Sequence, residues 1–212
     1  MEEWVPFGSR TYLLLWLLLA FSRGMDFLST WVATPHLVLE GNPIAKRLGW
    51  KWGVPVNVLL CFGFACWALP AIVISTTSLL VAARNFQGAW LMRSMGEENY
   101  RKWHIDRISE TSATLFLFCL FAQTGLIAAV GAAVVYFSDW TRTPVLLAIG
   151  LGIIAYAGAI AFYSVLGVWR LRRNAIQKFE LEQRISRAPA APANAAASLK
   201  SFGPEDVPVS GG

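Results

Sequence analysis

The stretch YLLLWLLLAFSRGMDFLSTWV, running from Tyr12 to Val32, decides the fold class. A helix needs about 20 apolar residues to cross a hydrocarbon layer of roughly 30 Å. This run is long enough, and Arg23 and Asp26 are its only charges. Residues 54–83, 112–137 and 144–169 are similarly apolar, so residues 1–187 read as an all-α integral membrane bundle of about four transmembrane helices. A hydrophobic share of 56% and a mean hydropathy of +0.49 exceed what a soluble domain of this size needs for its core. A rival reading is a secretory signal cleaved after Ala20-Phe21-Ser22. Glu2 and Glu3 in place of a basic n-region, and the apolar residues beyond the supposed cut, speak against it.

The segments around these spans carry their own signals. Thr34-Pro35 and Asn42-Pro43 each set a capping side chain before proline, which predicts two helix starts in the first connector. Gly41 and Gly49 suit left-handed turn ends, and Trp50 and Trp52 suit an interfacial aromatic belt. Within span 54–83, Pro70 predicts a kink, with Ser75, Thr76, Thr77 and Ser78 placed to satisfy freed backbone groups. From Arg84 to Glu110 the pattern is that of an interfacial amphipathic helix pair broken at Gly96. Glu97 with Arg101, and Glu98 with Lys102, are spaced as helix ion pairs.

The last two spans carry small residues four apart, which lets helix backbones approach closely in lipid. The pairs are Gly125 with Ala129, Ala128 with Ala132, Ala155 with Ala159 and Ala157 with Ala161. Gln123 is expected to hydrogen-bond a neighbouring helix. Cys61, Cys66 and Cys119 lack metal-like spacing and read as small buried apolar residues. Residues 188–212, rich in Ala, Pro, Ser and Gly, read as a disordered tail.

Charge sets an orientation. The net charge is +5, but the basic residues flank apolar runs rather than forming a nucleic-acid module. Four spans put thirteen Lys and Arg on the side of the N-terminus, the 84–110 connector and the C-terminus, against four on the other. Both termini are then expected in the cytoplasm of a plasma or inner membrane. Arg170, Arg172, Arg173 and Lys178 follow the last span and are expected to meet anionic lipid headgroups, with a protein partner or a second copy as the alternative.

The candidate functional residues gather near the end of the first span. Ser22, Asp26 and Thr30 recur every four residues and form one polar stripe, with Arg23 three residues from Asp26. His36, Glu40 and Asn42 follow in the connector. Intramembrane charges cost at least ~2.5–3.5 kcal/mol each on insertion scales, so pairing or a cavity is expected. The run Asp26-Phe27-Leu28-Ser29-Thr30, with Glu40-Gly41-Asn42-Pro43 after it, resembles a small prokaryotic membrane-protein family of unknown function. Its pattern is Asp-x-x-x-Thr late in the first helix and Glu-x-Asn-Pro in the next loop. The resemblance covers residues 12–83 and implies that Asp26, Thr30, Glu40, Asn42 and Pro43 belong together, without naming a substrate.

Three functions are compatible with these residues. The first is a non-enzymatic membrane component binding lipid or protein, with no cofactor. The second is a small transporter-like bundle using the Ser22, Asp26 and Thr30 stripe. The third is an intramembrane metal-dependent hydrolase centred on Asp26, His36 and Glu40, although no HExxH-type spacing, phosphate loop or nucleophile elbow is present.

Overall fold

The computed structural model describes residues 4–139 and 141–187, without the side chains of 171–172 and 174–187. The described residues fold into six helices and no strand: α1 (Arg10–Ala33), α2 (Pro43–Phe64), α3 (Ala68–Met95), α4 (Glu97–Glu110), α5 (Ala113–Tyr136) and α6 (Pro144–Arg187). Four of them, α1, α3, α5 and α6 up to Arg170, are long and apolar enough to cross a membrane. The protein is an all-helical membrane bundle. The bundle proper ends at Arg172, and the last stretch of α6 begins a second unit. The segment from Ala188, read above as a tail, lies outside the described residues.

Local chemistry sets the helix ends. Ser9 caps α1 by accepting from Tyr12 N at 3.1 Å, and Asn42 caps α2 by accepting from Ile44 N at 3.0 Å. Thr34 does not start a helix as its proline neighbour suggested. It ends α1, because its N–H still bonds Thr30 O while its φ and ψ have left the helical region. Gly49 does adopt a left-handed φ of 61° and breaks α2 internally, whereas in the first connector Leu37, not Gly41, has positive φ.

The expected span 54–83 is not one kinked helix. A turn at Ala65–Trp67 separates α2 from α3, closed by Cys66 N to Gly63 O at 3.2 Å and Trp67 N to Phe64 O at 3.1 Å. Pro70 therefore sits in the first turn of α3, where its missing N–H has no intrahelical partner to lose. The apolar helix continues through residues expected to be interfacial, as far as Met95. Gly96, at φ 77°, then makes the predicted break before α4, whose residues are all at least partly exposed.

The directions of the first three helices follow from their pairings. Partners on α1 and α3 and on the residues flanking them advance together: Val5 N bonds Cys66 O, Arg23 bonds Ser78, Thr30 bonds Asn85 and Thr34 bonds Glu97. The two helices are parallel. Partners on α1 and α2 run in opposite order, with Tyr12 Oη on Phe62 O, Arg23 on Asn57 and the Trp50 indole on Pro35 O. Thus α2 returns alongside α1. Where α1, α2 and α3 begin or end together, Val5, Tyr12, Leu15, Leu19, Cys61 and Ala71 form the packed core.

The hairpin α5–α6 packs differently. A Cβ added at Gly131 would lie 2.9 Å from Gly150 O, so the two backbones touch. Gly152 of α6 meets α3, where an added Cβ would lie 2.7 Å from Thr76 Cβ, and Thr77 Oγ1 donates to Gly152 O at 3.1 Å. The close approach seen here uses these glycines; of the small pairs expected, Gly125, Ala129, Ala132 and Ala155 are exposed, whereas Ala157 is buried. Gln123 is exposed too, and the buried polar residue of α5 is Thr124, bonded to Leu120 O of its own helix. Cys61 and Cys66 are buried as expected, but Cys119 faces outward on α5.

Candidate functional site: an intramembrane arginine centre and a carboxylate latch

Arg23 is the hub of a polar centre built by three helices. Its Nη1 donates to Asp26 Oδ2 at 2.8 Å and to Ser78 Oγ on α3 at 3.1 Å. Its Nε donates to Asn57 Oδ1 on α2 at 2.9 Å, and Nη2 donates to the same oxygen. Asn57 in turn donates through Nδ2 to Gly53 O at 2.8 Å. A planar guanidinium offers donors in a fixed fork, which suits holding several acceptors at once. Phe27 adds a ring face, its centroid 5.8 Å from the guanidinium carbon.

Two turns further along, Asn85 of α3 donates from Nδ2 to both Ser29 Oγ and Thr30 Oγ1, each at 3.3 Å. Ser29 Oγ donates to Asp26 O at 2.8 Å, which ties this second contact to the first. The side chains of the Ser22, Asp26 and Thr30 stripe take different partners. Ser22 is fully buried and bonds Leu19 O of its own helix, Asp26 pairs with Arg23, and Thr30 takes Asn85.

The connector residues belong to a separate feature at the end of α1. Glu97, the first residue of α4, reaches into the loop that follows α1. Its Oε1 accepts from His36 N at 3.0 Å and lies 3.2 Å from His36 Nδ1, while Oε2 accepts from Thr34 Oγ1 at 3.0 Å and Val38 N at 3.2 Å. Burial works against ionisation of this carboxylate, but the backbone bond from His36, the Thr34 hydroxyl and the Val38 N–H outweigh it and hold its pKa below the ordinary value. Glu97 is thus not paired with Arg101. The ion pairs of α4 are instead Glu98 with Arg101 at 3.9 Å and Arg107 with Glu110 at 2.9 Å, both surface contacts.

Asp26, His36 and Glu40 point to different partners. Asp26 takes Arg23, His36 takes Glu97, and Glu40 accepts from Asn42 N at 2.7 Å while Asn42 caps α2. Among the described residues, no three His, Cys, Asp or Glu are grouped so as to hold a metal ion. The residues that sequence reading passed over are Asn57 and Asn85, while Glu97 reads in sequence only as a helix ion-pair partner of Arg101. Asn57 and Asn85 are lone amides within apolar runs, the same signal that singled out Gln123. Glu97 carries no such signal, because its partners are backbone groups some sixty residues away in sequence.

A small apolar cavity of about 170 Å³ lies beside this centre, between α1 and α2, bounded by Trp16, Phe27, Val54 and Val58 with Arg23 and Asn57 at its polar edge. No family model matches the chain, and neither a curated protein nor a solved structure matches it. In this fold the residues of the Asp-x-x-x-Thr and Glu-x-Asn-Pro pattern serve as an ion pair, an interhelical hydrogen bond and a helix cap.

Proposed function

We propose that this chain is a non-enzymatic component of a plasma or inner membrane, whose intramembrane polar residues hold its helices together and whose basic surface binds anionic lipid. The observation that carries this reading is the engagement of Arg23, whose Nε, Nη1 and Nη2 each donate to side chains of α1, α2 or α3, four bonds in all. A guanidinium engaged in this way supports helix association in a medium that offers no water to satisfy it. Arg170 at the end of the last span and Arg173 after it are exposed and suit phosphate headgroups, as do Arg172 and Lys178 by position in the sequence.

The test is native mass spectrometry of the full chain released from detergent with defined lipids. Wild type is expected to retain phosphatidylglycerol in preference to phosphatidylcholine, and a chain carrying Arg23→Met with Asp26→Leu is expected to retain it equally. Equal retention of the two lipids by wild type would defeat the lipid reading. Loss of lipid by a folded double variant would instead make Arg23 part of a ligand site. The cavity beside Arg23 and Asn57 favours that second reading, a small ligand-binding bundle.

A further inference from the structure

We propose that α2 is a fifth membrane crossing, so that the N-terminus lies outside and one cytoplasmic face collects most of the exposed Lys and Arg side chains against the anionic leaflet. The two ends of α1 and α3 fix their relative direction. At one end Val5 N bonds Cys66 O and Trp4 stacks edge-on against Trp67 at 5.1 Å. At the other, Thr34, His36 and Val38 bond Glu97. Both helices are long and apolar enough to span, and both run the same way. The chain must therefore come back across the membrane between them, and α2 is what lies there.

The composition of α2 hides this. Its straight part, residues 50–64, is only roughly 22 Å long at 1.5 Å per residue, it contains Pro55 and Asn57, and Gly49 breaks it from the capped turn before it. Yet it carries no charge after Lys51, and its amide is satisfied by Arg23. Its ends carry interfacial aromatics, with Trp52 exposed at one and Trp67 at the other. A short span is accommodated by local thinning of the bilayer.

The remaining helices follow. Gly152 and Thr76 meet eight residues after the starts of α6 and α3, so α6 starts at the Trp67 end and α5, its hairpin partner, finishes there. With five crossings through Arg170, eight exposed basic residues share the Glu97 face: Lys46, Arg47 and Lys51 on α2, Arg93 on α3, Arg101, Lys102 and Arg107 on α4, and Arg170 on α6. The opposite face has Arg10 and Arg142. The retention of Lys and Arg on the cytoplasmic side then orients the chain with its N-terminus outside. Four crossings would instead put the connector that holds Thr34, His36 and Val38 across the bilayer from Glu97, which bonds all three.

Single cysteines at Lys46, Asn99 and Arg142, in a chain with Cys61, Cys66 and Cys119 changed to Ala, would be treated with a membrane-impermeant maleimide on intact cells and on inverted vesicles. The expected pattern is Arg142→Cys labelled from outside, and Lys46→Cys and Asn99→Cys labelled only in inverted vesicles. Lys46→Cys labelled together with Arg142→Cys, and apart from Asn99→Cys, would restore four crossings and overturn the proposal. Labelling of Lys46→Cys and Asn99→Cys from outside would overturn the orientation. Should the cysteine-free chain fail to accumulate, protease digestion of spheroplasts bearing otherwise unaltered protein decides it. Loss of an N-terminal tag with protection of a C-terminal tag supports five crossings, and equal protection of both tags refutes them.

Discussion

Between α1, α2 and α3 the helices are joined by side chains that hydrogen-bond across the interface, whereas between α5 and α6 they are joined by glycine backbones in contact. The first arrangement suits helices of mixed composition, since Arg23, Asp26, Asn57, Ser78 and Asn85 must find partners inside the bundle. The second suits helices that are almost wholly apolar, where van der Waals packing at small residues drives association. The difference teaches that one short membrane protein can use specificity of hydrogen bonding in one region and closeness of approach in the other.

The largest effect is expected from breaking the polar region at its hub. Arg23→Ala leaves Asp26 without its cation and removes a donor from Asn57 and Ser78, on α2 and α3. Removing one partner of a buried pair typically costs about 3–5 kcal/mol. Asp26→Ala should cost less, because Arg23 keeps Asn57 and Ser78. Thermal unfolding in detergent, followed by tryptophan fluorescence, would show the order; equal losses from the two changes would mean that Asn57 and Ser78 contribute little.

The glycine region makes a matching test. Gly131→Ala would place a methyl group 2.9 Å from Gly150 O, a backbone atom that cannot swing aside. Overpacking of this kind costs about 1–3 kcal/mol, offset by a gain in helix propensity of about 1 kcal/mol. Gly125→Ala, with nothing within 4 Å, should be neutral or stabilising in the same assay. If both substitutions leave the melting temperature unchanged, the hairpin does not depend on backbone contact.

Glu97 offers a milder change with a pH signature. Replacing it by Gln keeps the shape but sets an amide donor against the Thr34 hydroxyl and the Val38 N–H, or against His36 N, with a loss of about 1–2 kcal/mol. Its pKa is lower in the folded protein than the ordinary 4.5. Its contribution is therefore complete above that value and declines as pH falls through the folded pKa. The stability gap between wild type and Glu97→Gln should narrow below about pH 4.5. A gap that is flat from pH 7 to pH 3 would remove the carboxylate from the account.

The smallest effect is expected at Thr30. Thr30→Val removes one acceptor of Asn85, at 3.3 Å, and leaves Ser29 at the same distance. The loss should be below about 1 kcal/mol. A loss as large as that of Arg23→Ala would show that the hydroxyl serves something beyond Asn85.

The amino-acid sequence alone determined that this is a helical membrane protein, because long apolar runs and their flanking charges are local properties of composition. It determined the Asn42 cap, the Gly96 break and the nearness of Arg23 to Asp26, since each depends on residues within one or two helical turns. Tertiary structure alone decided what those residues hold. Arg23 meets Asn57 thirty-four residues away and Ser78 fifty-five away, and Glu97 meets a loop some sixty residues before it. Hydropathy counts apolar length, so it merged the short α2 with the start of α3 and hid the return of the chain. Only the parallel course of α1 and α3, set by packing between distant segments, shows that a helix too short to stand out by composition lies between them.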